Sequence, residues 1–199
     1  MHSAARSNLK VSAALLAALL VPTLVLAHPE GHVAADAWAG FIHPLTGIDH
    51  ALAMIAVGLW AARLGRSALW ALPTIFPLAM MGGALLAQAG VSLPEVESIL
   101  ALSVMSFGVA VAVGVRLPLL ASALLVGLFA VFHGYAHWIE APAAGIEIGY
   151  GAGFIAATVL LHMIGLVGGT VVGSAGSRTS LLRIGGTLIA SIGAYLLVF

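Results

Sequence analysis

Six apolar stretches, separated by short connections that contain charged residues, glycine or proline, run from residue 42 to the end of the chain. They cover residues 42–63, 68–89, 96–115, 119–138, 148–172 and 181–199. Because about 20 apolar residues in a helix cross the hydrocarbon core of a bilayer, each stretch predicts one membrane-spanning helix. The pattern therefore predicts an all-α integral membrane protein built as a six-helix bundle.

The first 27 residues have a different pattern. Arg6 and Lys10 precede an apolar core at residues 11–21, and small residues lead up to Ala27. This is the pattern of a secretory signal peptide that is cleaved after Ala27, and an uncleaved first membrane helix is the alternative. Residues 28–199 would then form a single transmembrane domain.

Composition restricts the class of protein further. Apolar residues make up 62% of the chain and charged residues 7%, and the mean hydropathy is +1.16. A soluble domain is about half apolar and one quarter charged, so we expect no attached soluble energy-coupling domain. The chain has no cysteine, and any metal ion would therefore be held by nitrogen and oxygen atoms.

The few charges separate along the chain. Arginines lie in or beside the connections that an exported amino terminus would place in the cytoplasm, at Arg63, Arg66, Arg116, Arg178 and Arg183. Carboxylates lie at the other ends of the spans, at Glu30, Asp36, Glu95, Glu97, Glu140 and Glu147. Because cytoplasmic connections are enriched in Arg and Lys, we predict that both mature termini face the periplasm of a bacterial inner membrane.

The segment from Phe132 to Glu140 carries ionisable groups at the end of an apolar helix. At about 100° per residue, His133, His137 and Glu140 fall on one face within two turns. Bulk lipid cannot solvate such groups, so we expect them to face a protein interior, a cavity or a bound ion. For Glu140, a role as a cap at the end of the span is the alternative.

A second polar cluster, His43, Asp49 and His50, opens the first span. On an unbroken helix the two imidazoles would stand about 10 Å apart, too far to share one metal ion. Pro44 and Gly47 favour a bent or unwound start, which would bring His43 toward Asp49 and His50. Asp49 would act either as a ligand or as the acceptor that fixes the tautomer of a ligating imidazole.

Two further residues extend this set. Glu97 opens the third span, and His162 lies on the order of 20 Å into the fifth, near the midplane, where it would contact an ion or bond a neighbouring helix. Because each buried ionisable group is costly, two histidine motifs with carboxylates predict a metal or proton site. Imidazole with carboxylate suits Ni(II), Co(II), Zn(II), Cu(II) or Fe(II), and the residue types do not select among them.

Together the two histidine motifs resemble the signatures of the HupE/UreJ family of membrane proteins. The HPxxGxDH signature is matched by His43-Pro44, Gly47 and Asp49-His50, and the FHGxAHGxE signature by Phe132-His133-Gly134, Ala136-His137 and Glu140. Further agreement lies at Leu93-Pro94, Glu97, Gly153-Phe154, Ala157-Thr158, Leu161-His162 and Gly165. Trp138 departs from the pattern, because the family usually has glycine there.

The resemblance implies metal contacts at His43, Asp49, His50, His133, His137 and Glu140, with Glu97 and His162 as further members. Proteins of that family are regarded as nickel, and in some cases cobalt, permeases associated with hydrogenase and urease maturation. The resemblance therefore implies a secondary transporter, not an enzyme, that takes up Ni(II) or Co(II) and holds no permanent cofactor. Its expected partners are the metal ion and membrane lipid, without nucleic acid. A homo-oligomer and a cytoplasmic nickel metallochaperone stay open.

Two other functions agree with the same ligand types. An intramembrane zinc-dependent hydrolase would need an open coordination position and a lipid-accessible cleft, with Ser103, Ser106 or Thr158 as assisting hydroxyls. A sensor or accessory subunit would bind nickel without moving it. Metal that enters sealed liposomes distinguishes a permease from both.

Overall fold

The computed structural model describes residues 37–140, 148–173 and 179–199, and the regular structure of these residues is entirely helical. The helices are α1 (Ala37–Thr46), α2 (Ile48–Leu64), α3 (Arg66–Gln88), α4 (Val96–Val113), α5 (Leu119–Glu140), α6 (Ile148–Gly173) and α7 (Thr179–Val198). The all-α class is therefore confirmed. The predicted signal peptide, residues 1–27, lies outside the described residues and stays a prediction.

Five helices, α3 to α7, are long and apolar enough to cross a membrane. Helices α1 and α2 meet the same criterion only as a pair, and this pair is bent by 83°. The stretch predicted as a first span at residues 42–63 is therefore not one straight helix. It starts earlier, at Ala37, and is interrupted at Gly47. The described residues hold five candidate spans, or six when the bent pair counts as one.

The local sequence explains the bend between α1 and α2. Pro44 has no amide hydrogen to donate inside α1, and Gly47 takes an extended backbone conformation with φ −78° and ψ 107°. The amide of Gly47 still donates a hydrogen bond to the His43 carbonyl at 3.4 Å. The Gly47 carbonyl accepts a hydrogen bond from the Ala51 amide at 2.9 Å. Helix α2 therefore starts at once in a new direction. The bend predicted from Pro44 and Gly47 is confirmed.

Glycines set the distance between paired helices. Gly58 of α2 and Gly165 of α6 face each other, and a Cβ added to either would lie 2.9 Å from the Cα of the other. A Cβ would also overlap the backbone of the neighbouring helix at Gly40 and Gly153 (α1 with α6), Gly83 and Gly134 (α3 with α5), and Gly108, Gly186 and Gly193 (α4 with α7). In lipid, where burial of apolar surface does not drive helix association, such close packing stabilises the bundle.

The same contacts define the relative directions of the helices. Residues 55–59 of α2 meet residues 165–169 of α6 in the same order, and residues 75–83 of α3 meet residues 127–135 of α5, so both pairs are parallel. Helices α4 and α7 are antiparallel, because Met105 meets Gly193 while Ala112 meets Gly186. These directions agree with spans that alternate along the chain. The ring of His50 contacts those of His133 and His137, so the start of α2 and the end of α5 lie at the same end of the bundle.

Arg63 closes the opposite end. Its guanidinium donates a hydrogen bond to the Val111 carbonyl, and the Trp60 indole donates one to the Val115 carbonyl at 2.9 Å. A cation beside the last carbonyls of α4 satisfies acceptors that have no partner within the helix. The end of α2 that carries Arg63 therefore contacts the end of α4, whereas the start of α2, which carries His50, contacts α5.

The adjacent residues Gly82 and Gly83 test this packing. A Cβ on Gly83 would overlap the Val131 carbonyl of α5, whereas nothing lies within 4 Å of a Cβ added to Gly82. We expect Gly83→Ala to lower the free energy of unfolding by about 2 kcal/mol or more, because overpacking forces backbone shifts. Gly82→Ala, the matched control, should leave it unchanged or raise it slightly. Thermal unfolding in detergent measures both, and equal losses would contradict this packing.

Candidate metal centre

Three ligand groups from α1 and α5 meet where α5 ends. His43, His137 and Glu140 each offer one ligand atom, and these atoms lie within 4.8 Å of one another. His43 Nε2 is 2.9 Å from His137 Nδ1 and 3.5 Å from Glu140 Oε2. Ligand atoms on one transition-metal ion stand about 3–4 Å apart when the bonds are about 2.0–2.2 Å long. These three residues, the outer group, are therefore close enough to share one ion after small side-chain shifts.

A second set of imidazoles lies behind the outer group. The ring centroid of His50 is 4.0 Å from that of His137 and 4.8 Å from that of His133. These three residues, the buried group, are at most 5% exposed, whereas the Glu140 side chain is 41% exposed. His137 belongs to both groups, because its Nδ1 meets His43 while its Nε2 is buried without a hydrogen-bond partner among the described residues.

Fixed acceptors orient two of the histidines. Asp49 Oδ1 lies 2.7 Å from His50 Nδ1, and the Thr158 carbonyl lies 2.8 Å from His162 Nδ1. Carboxylate and carbonyl oxygens accept hydrogen bonds, so in the neutral form of each ring Nδ1 carries the proton and Nε2 keeps its lone pair. Both Nε2 atoms are buried and lack a partner in the described part of the chain. Such a nitrogen is a ready ligand for a transition-metal ion.

Gly47 leaves space for the pair of Asp49 and His50. A Cβ at position 47 would lie 3.2 Å from His50 Nδ1 and 3.3 Å from Asp49 Oδ1, which is tight for both. Asp49 stands in the first turn of α2, where the helix dipole favours a carboxylate, and its Oδ1 also accepts the His50 backbone amide at 2.8 Å. The interruption at Gly47 therefore both turns α1 toward α5 and starts α2 at the carboxylate that orients His50.

Aromatic rings cover the imidazoles. The centroid of Phe154 lies 4.4 Å from that of His137, and Phe76 lies 5.5 Å from His133 and 5.1 Å from His162. Phe76 therefore contacts both the buried group and the deeper His162. These apolar rings lower the local polarity, which strengthens the interaction of an imidazole with a cation.

A cavity of about 390 Å³ adjoins His137 between α3, α5 and α6. Its wall includes Tyr150 and Thr158, and their buried hydroxyls have no hydrogen-bond partner within the described ranges. Most of the remaining wall is apolar. The cavity has room for several water molecules beside the buried imidazoles, and the two hydroxyls offer them hydrogen-bond partners.

Most of the predicted contact residues come together at this end of the bundle. The residues that meet are His43, Asp49, His50, His133, His137 and Glu140. Glu97 is exposed at the start of α4, and in the described part of the chain no hydrogen bond or ion pair joins it to them. His162 contacts Phe76 instead of the buried group. The metal-binding role of the set stays a prediction.

Besides Phe76, sequence reasoning missed the roles of two hydroxyl-bearing residues that contact the histidines. Ser103 Oγ lies 2.8 Å from His133 Nε2, and the ring centroid of Tyr150 lies 6.0 Å from that of His43. From the sequence, Ser103 is only one of several hydroxyls that would assist a hydrolase. The sequence does show that Ser103 places a hydroxyl inside an apolar span. It does not show which neighbouring helix that hydroxyl faces.

A family model described as HupE / UreJ protein matches residues 16–196. The chain belongs to the HupE/UreJ family. Protein HupE of Rhizobium leguminosarum bv. viciae is 44% identical over 184 residues, which cover 92% of this chain and 95% of that relative. No solved structure matches the chain. The resemblance inferred from the histidine motifs is confirmed, and the centre described above belongs to a HupE/UreJ family member.

Added metal should stabilise this family member. A ligand at 100 times its Kd raises the free energy of unfolding by about 2.7 kcal/mol if it binds only the folded state. We expect Ni(II) to raise the unfolding midpoint of the wild-type protein, and His137→Ala to abolish the rise because it removes the shared imidazole. Mg(II), which prefers oxygen ligands, should have no effect. Thermal unfolding in detergent at increasing metal concentration measures the shift.

Glu95→Gln is the control for that measurement, since Glu95 is exposed and its carboxylate accepts a hydrogen bond only from the Ser98 hydroxyl among the described residues. Its response to Ni(II) should equal that of the wild-type protein. An equal Ni(II) shift in His137→Ala and the wild-type protein would show that the ion binds elsewhere.

Proposed function

We propose that this HupE/UreJ family member is a secondary transporter that takes up Ni(II), with Co(II) as a second substrate, from the periplasm to the cytoplasm. The metal would serve the maturation of hydrogenase or urease. The observation that carries the proposal is the position of His137. Its Nδ1 meets the partly exposed outer group, and its Nε2 lies unpartnered among the buried imidazoles.

A shared imidazole suits an ion in transit. An ion from the water would first meet Glu140 and His43, whose carboxylate and imidazole replace part of its hydration shell. Rotation or a small shift of the His137 ring would then pass it toward His50 and His133. Since an ion must also leave, several sites of moderate strength serve transport better than one strong site.

The path below the buried group leads past Phe76. Its ring contacts both His133 and His162, so an ion that reaches His162 must pass beside it. His162 then offers a buried Nε2 lone pair as the next ligand. Helix α3 carries Pro73 and Pro77 on either side of Phe76, and each proline removes a helical hydrogen bond. The backbone near Phe76 is therefore easier to move than that of an uninterrupted helix.

The donor set is compatible with this substrate, and the charge pattern supports the direction. Imidazole nitrogens with one carboxylate suit Ni(II) and Co(II), and the chain has no cysteine to favour a softer ion. We place the arginine end of the bundle in the cytoplasm and the histidine end in the periplasm of a bacterial inner membrane. A membrane potential of 100 mV then drives a divalent cation inward with about 4.6 kcal/mol.

Uptake into proteoliposomes tests this function. Wild-type protein in sealed vesicles that contain a nickel-sensitive dye should give a protein-dependent signal after external Ni(II) is added. His50→Ala and His137→Ala should reduce the initial rate at least tenfold, because each removes a ligand of the buried group. Competition among nickel, cobalt, zinc and copper in the same assay determines the preferred ion.

Glu140→Gln and Glu95→Gln form a matched pair for that assay. Glu140 belongs to the outer group, whereas Glu95 is exposed and accepts a hydrogen bond only from the nearby Ser98 hydroxyl among the described residues. Only Glu140→Gln should slow uptake. Nickel that binds the protein without entering the vesicles would indicate a sensor or accessory subunit, and release of lipid products with bound zinc would indicate a hydrolase.

A further inference from the structure

His133, a member of the buried group, has an orienting partner on another helix. Its side chain is fully buried on α5, and its Nε2 lies 2.8 Å from the Ser103 hydroxyl on α4. Ser103 is also fully buried, and its Oγ lies 2.7 Å from the carbonyl of Leu100, one turn earlier in the same helix. Two short hydrogen bonds thus meet at a single hydroxyl.

The chemistry of these bonds fixes where each proton lies. A serine hydroxyl has one proton, and the Leu100 carbonyl can only accept, so the hydroxyl donates to that carbonyl. Ser103 Oγ is then an acceptor toward His133, and Nε2 of the imidazole must be the donor. A neutral imidazole has one N–H, so the Nδ1 atom of His133 keeps a lone pair. This Nδ1 is buried and has no hydrogen-bond partner among the described residues.

We propose that Ser103 is a positioning residue that holds His133 as the Nε2–H tautomer and thereby presents its Nδ1 lone pair to the metal ion. The tautomer itself follows from the hydrogen bonds alone. The benefit to metal binding rests on the proposed function. Ser103 would do for His133 what Asp49 does for His50 and the Thr158 carbonyl does for His162, although the ligating nitrogen of His133 is the opposite one.

The alternative arrangement is less favourable. If the hydroxyl turned its proton to His133, its lone pairs would face the Leu100 carbonyl at 2.7 Å, and the imidazole proton would move to Nδ1. The Nδ1–H group of His133 would then be a buried donor without an acceptor, and Nδ1 could no longer bind a metal ion. The ring would then oppose the approach of a cation to the buried group.

Nitrogen NMR of the full chain without metal tests the tautomer directly. In protein labelled with ¹⁵N-histidine in detergent, His133 should have a protonated Nε2 and an unprotonated Nδ1, with His133→Gln identifying its signals. Ser103→Ala should shift His133 to a mixture of tautomers, because the acceptor is gone. Ser122→Ala is the matched control, since the fully buried Ser122 hydroxyl donates only to the Pro118 carbonyl at 3.2 Å and has no histidine partner among the described residues.

The nickel affinity of the Ser103 and Ser122 variants tests whether this tautomer of His133 favours metal binding. Loss of a residue that orients a metal ligand typically weakens binding about 10- to 100-fold, which we expect for Ser103→Ala. Ser122→Ala should bind nickel like the wild-type protein, and Ser103→Thr, which keeps the hydroxyl, should recover most of the affinity. A loss in Ser103→Thr as large as in Ser103→Ala would show a packing effect and overturn the proposal.

The two experiments separate this inference from the proposed function. An Nδ1–H tautomer of His133 in the wild-type protein overturns the role of Ser103, whatever the Ser103 variants show. Unchanged nickel affinity in Ser103→Ala also overturns it. If the wild-type protein binds no nickel, the transport proposal fails, whereas the tautomer measurement still decides whether Ser103 orients His133.

Discussion

The structure depends on the cost of leaving imidazole nitrogens unpaired where water is scarce. His50, His133, His137 and His162 each have one buried ring nitrogen without a hydrogen-bond partner in the described part of the chain. For His50 and His162 the opposite nitrogen bonds a fixed acceptor, Asp49 or the Thr158 carbonyl. Four such atoms inside one helical bundle are expensive unless something binds them. A cation in transit would offset this cost, and the arrangement of the helices serves to keep these atoms in place.

Close packing provides that arrangement. Glycines bring α2 against α6 and α3 against α5 at backbone contact, which leaves little freedom for the helices to rotate about their axes. The interruption at Gly47 turns α1 away from α2 by 83°, so that His43 reaches His137 while His50 enters the bundle. In one straight first span, His43 and His50 would stand about 10 Å apart. The bend is thus as important for the centre as the ligands.

Membership of the HupE/UreJ family and the geometry of the centre both support the proposed function. The family match covers almost the whole chain, and the relative from Rhizobium leguminosarum bv. viciae aligns over nearly its full length. The centre adds a physical reason for transport, because His137 joins a partly exposed group to a buried one. A purely structural metal site would gain nothing from an exposed carboxylate such as Glu140.

The sequence alone determined the helical class, five of the six candidate spans, the separation of arginines from carboxylates, and the common face of His133, His137 and Glu140. These features follow from the hydrophobic period and from residue spacing within one helix, which are local. The tertiary structure decided that His43 meets α5, that Ser103 faces His133, and that Glu97 and His162 stand apart from the main group. Those outcomes depend on how segments far apart in the chain rotate and pack at glycine contacts. The hydrophobic pattern of a membrane helix does not encode that rotation, because lipid-facing and buried positions are both apolar.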